Sequence, residues 1–210
     1  MGERTIYFLF TDTGSYLSRA INYCTKQTLN HVSIGFDDEL NEVYSFGRKR
    51  PNNPFIGGFV KEDIRSEFMR NSKCAIYSYR ITEPEYETIL RKIKEIEAEK
   101  DIYKYNFIGL FGVLFQIEIN RRDAYFCSQF VATVLQDLEN FNLLKPPCFI
   151  TPSDIRTHKG MRLIFQGLLG EYQPKKKVKS ERKLVTISEN IEKQSFIFLL
   201  SSKVKRFVIR

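Results

Sequence analysis

Strand-like patterns crowd residues 5–81 of this chain, and helical periods dominate residues 84–138. Residues 5–10 are β-branched and aromatic, as a buried strand requires. Residues 31–36 alternate, residues 37–41 supply turn chemistry and residues 42–46 resume the strand pattern, so His31 opens the first strand of a β-hairpin. Residues 74–81 read as a further strand. Between the first strand and the hairpin, Leu17, Ala20, Ile21 and Cys24 fall at helical spacing, with Asp12, Thr13 or Ser15 available as the cap. Residues 47–58, rich in Pro, Asn, Gly and Arg, read as a loop. This order predicts an α+β fold in which an antiparallel sheet packs against helices.

The helical half is equally patterned. Residues 84–100 place Ile89, Leu90, Ile93 and Ile96 on one face, with Pro84 near the start. Residues 108–117 are strongly apolar but carry Gly109 and Gly112, which fits either a buried helix or a packed turn. Phe130, Val131, Val134, Leu135 and Leu138 define a buried helix over residues 126–138, with Cys127 in its first turn. Pro146, Pro147 and Pro152 end that helix, and Thr151 to Asp154 can cap a short one. At 210 residues and 42% hydrophobic, the chain can bury a core without disulfides or metals.

The net charge of +8 is unevenly placed. Residues 1–173 carry 22 basic and 22 acidic side chains, whereas residues 174–210 carry 11 and 3. The organisation expected is therefore a neutral domain over 1–173 and a basic C-terminal extension over 174–210. Within that extension, residues 184–187 and 196–200 are apolar stretches able to pair as a hairpin or to cover a groove. Its basic clusters read as a solvated linker and terminus. Their flanking of an apolar stretch favours an anionic membrane surface over nucleic acid as a partner, and no nucleic acid is expected. Cys24, Cys74, Cys127 and Cys148 are widely spaced, with no metal-ligand spacing, and read as free thiols. The apolar run at residues 6–10 is too short for a secretory signal, and no stretch has the length of a membrane span, so a cytoplasmic setting is expected.

Few residues can carry chemistry here. A thiol acts as a nucleophile when ionised, and the first turn of a helix favours the thiolate through unpaired N–H groups and the positive end of the dipole. Cys127 is so placed, and the same N–H groups would serve a developing oxyanion. The base must be one of two histidines, His31 at a strand start or His158 in a polar segment, and His31 has the more buried setting. Only a fold that brings the hairpin strand to the helix terminus unites His31 with Cys127. Cys24, Cys74 and Cys148 read as packing residues. The sequence Asp12-Thr13-Gly14-Ser15 matches an aspartic-protease motif, but the helical period after it favours a helix cap.

His31-Val32-Ser33-Ile34 followed by Tyr125-Phe126-Cys127-Ser128-Gln129-Phe130-Val131 resembles the NlpC-type cysteine peptidase superfamily. The histidine precedes the cysteine, the order of the circularly permuted papain-like branch that holds the YiiX-like and lecithin retinol acyltransferase-like proteins. Tyr103-Lys104-Tyr105-Asn106, Gly109-Leu110-Phe111-Gly112 and Thr151-Pro152-Ser153-Asp154 look like landmarks of the same branch. The resemblance implies Cys127 as nucleophile, His31 as base, and Tyr125 and Ser128 as residues lining the site or supporting the oxyanion. The third polar residue of the branch lies on the second hairpin strand and is usually Glu or His. The matching position here is Ser45, whose hydroxyl can orient the imidazole but stabilises imidazolium less than a carboxylate would. Glu42 is a nearby carboxylate, yet strand alternation points it to the face opposite Ser45. The activity implied is cleavage of an amide in a small peptide or N-acyl amino acid, without cofactor or metal. A lipid acyltransferase or hydrolase at a membrane surface and a catalytically inactive binding module are the alternatives.

Overall fold

The computed structural model describes residues 2–12, 28–50, 53–115, 117–119 and 121–174. Six strands form one antiparallel sheet: β1 (Glu3–Asp12), β2 (His31–Gly35), β3 (Val43–Arg50), β4 (Asn53–Lys61), β5 (Lys73–Thr82) and, after the two strands of a smaller ladder, β8 (Arg162–Leu168). Their order across the sheet is β4-β3-β2-β1-β5-β8. The first expected strand, β1, is thus interior, and both of its faces are covered. Ile6, Phe8 and Phe10 enter one core, while Leu9 enters a second with Leu40, Val43, Met69, Cys74, Ile76 and Leu169. Burial on both sides accounts for its nearly unbroken apolar run.

The expected hairpin is β2 and β3, with Ile34 opposite Tyr44 and Gly35 opposite Val43. The loop expected at residues 47–58 is instead most of a second hairpin, with Ser45 opposite Val60 and Gly47 opposite Gly58. Its glycines serve close approach. A Cβ at Gly57 would stand 2.8 Å from Cβ of Tyr105, and one at Gly58 would stand 2.8 Å from the carbonyl oxygen of Tyr103. Those neighbours belong to the segment of β6 (Lys104–Tyr105), which pairs in parallel with β7 (Ala124–Tyr125) beside the sheet's outer strand. Pro54 is accommodated because β4 is an edge strand. Strand β8, at the other edge, was not anticipated from the sequence; none of its residues is buried and four of the seven are exposed.

The helices are α1 (Glu67–Arg70), α2 (Glu83–Ala98), α3 (Phe107–Phe115), α4 (Cys127–Leu135) and α5 (Pro152–Arg156). In α2, Thr82 and Glu85 form a reciprocal capping box, Pro84 sits in the first turn, and Ile89, Ile93 and Ile96 are buried as their spacing predicts. The apolar segment at 107–115 is a helix. The carboxamide of the fully buried Asn106 accepts the Gly109 N–H at 3.0 Å, and a side chain at Gly109 would collide with it. Thr151 and Asp154 form a second capping box, on α5. Helix α4 packs on β2 and β3, and its Phe130 meets Phe46 of β3 and Phe59 of β4 ring to ring. Met1–Pro174 is one compact unit. Among the described residues no helix is long and apolar enough to cross a membrane. The helix expected around Leu17 to Cys24 and the apolar stretches at 184–187 and 196–200 lie outside the described residues.

Candidate active site

Cys127 is the first residue of α4, and Phe126 before it is extended and provides no side-chain cap. The leading N–H groups of the helix are therefore not consumed by a capping oxygen from Phe126. β2, on which α4 packs, opens with His31, so the contact between these two elements delivers the imidazole to the sulfur. Cys127 and His31 are hydrogen bonded to each other, and the sulfur also receives the backbone N–H groups of Val32 and Ser128. The Asn30 carbonyl lies 3.8 Å from the sulfur.

His31 is anchored from its other side. Its Nε2 lies 3.0 Å from Oε1 of Glu62, the residue just after β4, and 3.4 Å from Oγ of Ser33. With Nε2 so engaged, Nδ1 is the nitrogen left for the sulfur. The side chains of His31 and Glu62 are 19% and 15% exposed, so this pair is shielded from water. Ser45 Oγ donates to the same Glu62 oxygen at 2.6 Å.

Burial alone would lower the basicity of His31, but the hydrogen bonds and charges of Cys127 and Glu62 outweigh it and carry its pKa well above the ordinary 6.5. Burial alone would raise the Cys127 thiol. The His31 hydrogen bond and charge, aided by the Val32 and Ser128 N–H groups, bring it below its ordinary value. Both shifts run towards a thiolate facing an imidazolium. Burial pushes Cys74 the opposite way, up to about 11, and Cys148 is raised by burial and by Glu118.

Other candidates named from the sequence stand elsewhere. Ser45 was expected to orient His31 directly; its single proton goes instead to Glu62, which holds the imidazole in its place. Ser128 contributes its backbone N–H to the sulfur, while its side chain points away, donating to the Ile150 carbonyl at 2.6 Å. Tyr125 is taken up in aromatic packing, stacked on Tyr103 and edge-on to Phe46. Glu42 bonds Lys61 at 2.5 Å and also accepts from Tyr44, as its opposite strand face predicts. His158 stacks on Phe141 at 4.1 Å, and burial lowers its pKa. Glu62 was missed because residues 47–58 read as a loop. Read as a strand paired with β3, that segment puts Glu62 beside Val43, two positions from Ser45. No protein-family model, curated protein or solved structure matches this chain.

Proposed function

We propose that this chain is a cysteine hydrolase of the amidase or peptidase type, built on a circularly permuted papain-like fold. The observation that carries this reading is the chain of contacts from the Cys127 sulfur to His31 and on to Glu62 at 3.0 Å, assembled at an uncapped helix start. The fold reading draws support from the order in which the histidine strand precedes the cysteine helix, and from the packing of that helix on the hairpin. The reservation attached to Ser45, a triad without a carboxylate, loses its ground because Glu62 supplies one.

The chemistry is acyl transfer. The Cys127 thiolate attacks the carbonyl carbon of an amide, and the oxyanion that forms is held by N–H groups at the helix start. As the tetrahedral species collapses, the C–N bond breaks and His31 gives its proton to the departing amine. Water then attacks the thioester, losing a proton to His31; the C–S bond breaks, the carboxylic acid leaves, and the Cys127 thiolate is regenerated beside the imidazolium. Glu62 keeps the imidazole oriented and favours its charged form.

Iodoacetamide at pH 6, with the labelled cysteines read by peptide mass spectrometry, tests the nucleophile. Cys127 should react at least about tenfold faster than Cys74 or Cys148, since the thiolate is the reactive species. Equal rates would sink the proposal. Release of amine from a panel of N-acyl amino acids and dipeptides, lost in Cys127→Ala, tests the reaction class.

A further inference from the structure

The Glu62 carboxylate lies at the end of a long side chain that starts just past an edge strand. Such a side chain has many rotamers to lose before it can hold His31. Ser45, by contrast, is fully buried on β3, between β2 and β4, with a short side chain and one rotor. Its hydroxyl approaches Glu62 Oε1 to 2.6 Å, the length of a charge-assisted bond, and that oxygen is the one facing His31 Nε2. The three groups converge over Gly47. A Cβ there would stand 3.4 Å from His31 Cε1, 3.4 Å from Ser45 Oγ and 3.7 Å from Glu62 Oε1.

We propose that Ser45 is a positioning residue: its hydroxyl fixes the Glu62 carboxylate oxygen that holds His31. The proposal rests on the reading of Cys127 and His31 as nucleophile and base. The groups that face His31 are Cys127 from α4, Glu62 after β4, Ser33 from its own strand and Ser45 by way of Glu62. Among the described residues Cys127 and Glu62 are the titratable groups that act on it. When the carboxylate is no longer held, the imidazolium loses its support, and the thiolate that depends on it forms at higher pH.

The test is the pH dependence of Cys127 alkylation by iodoacetamide, followed by mass spectrometry, in the full chain and three variants. Ser45→Ala should move the midpoint up by about one pH unit, so that alkylation below both midpoints slows about tenfold. Ser45→Cys keeps the shape of the side chain but is a weak donor, so it should move the midpoint in the same direction; it carries the test if circular dichroism shows Ser45→Ala misfolded. Glu62→Gln should move it further. A wild-type midpoint in Ser45→Ala or Ser45→Cys, with Glu62→Gln shifted, overturns the positioning role. A wild-type midpoint in Glu62→Gln overturns the part given to Glu62 beneath it. Failure of Cys127 to outpace Cys74 and Cys148 in the unaltered chain overturns the nucleophile itself.

Discussion

Three described thiols are buried, and burial by itself makes a thiol less acidic, so what separates Cys127 from Cys74 and Cys148 is the company it keeps. An imidazole and two backbone N–H groups reach its sulfur, and that set outweighs the cost of burying charge. Gly47 lies beside that imidazole. Gly47→Ala would add a methyl at ordinary contact distance from His31 Cε1 and should leave Cys127 alkylation at pH 6 within about twofold of the unaltered chain. Gly47→Val sends branched methyls into the space where His31, Ser45 and Glu62 meet, and should slow it about tenfold or more. Equal rates in the two variants would show that the space is not needed. The cysteine and histidine were legible from residue type and order. The carboxylate was not, because its place depends on a strand pairing that the Gly, Pro and Asn residues of the segment disguise as a loop.

Elements whose start signals lie in their own sequence were the readable ones. Thr82-Glu83-Pro84-Glu85 announces α2 and Thr151-Pro152-Ser153-Asp154 announces α5, each through a capping box with proline in the first turn. Helix α3 was ambiguous because its glycines argue against a helix. The reason for Gly109 is a tertiary fit: Asn106 folds back onto its N–H, and a Cβ there would lie 2.4 Å from the Asn106 carboxamide nitrogen. Gly109→Ala should therefore lower stability by about 1–3 kcal/mol, although alanine is the better helix former. Asn106→Ala should cost about 1 kcal/mol through loss of the cap. In the double variant the clash is gone, so its loss should be smaller than the sum of the two single losses. Urea midpoints of the three variants check this, and strict additivity would show that the glycine serves some other purpose. Strand β8 had no such local signal, since an edge strand with no buried residue shows little alternation.

On the scale of the whole molecule, the sheet and α4 are held together across the Cys127–His31 contact, so the charge state of that pair is coupled to folding. In the unfolded chain His31 titrates near 6.5 and Cys127 near 9.0. The folded His31 pKa is raised, so its contribution is full below pH 6.5 and declines as pH climbs through the folded value. The folded Cys127 pKa is lowered, so its contribution is full above pH 9.0 and declines as pH drops through the folded value. Wherever the folded Cys127 is already ionised between pH 6.5 and 9.0, folded and unfolded chains bind one proton each on this pair, and the two slopes cancel. Below 6.5 a folded chain that keeps its thiolate holds one proton fewer than the unfolded chain, and stability then falls with acid by about 1.4 kcal/mol per pH unit. Above 9.0 the folded chain holds one proton more, and stability falls with base at the same slope until the folded imidazolium loses its proton. Urea unfolding of the full chain from pH 7 to 10 under reducing conditions should thus show a decline that sets in or steepens above pH 9.0. In Cys127→Ser the onset at 9.0 should disappear, because no thiolate remains to be formed in the unfolded chain, and any decline left by His31 should begin at 6.5. An unchanged alkaline limb in that variant would mean that the ionisation of Cys127 does not set it, and that this pair is not coupled to folding in the way described.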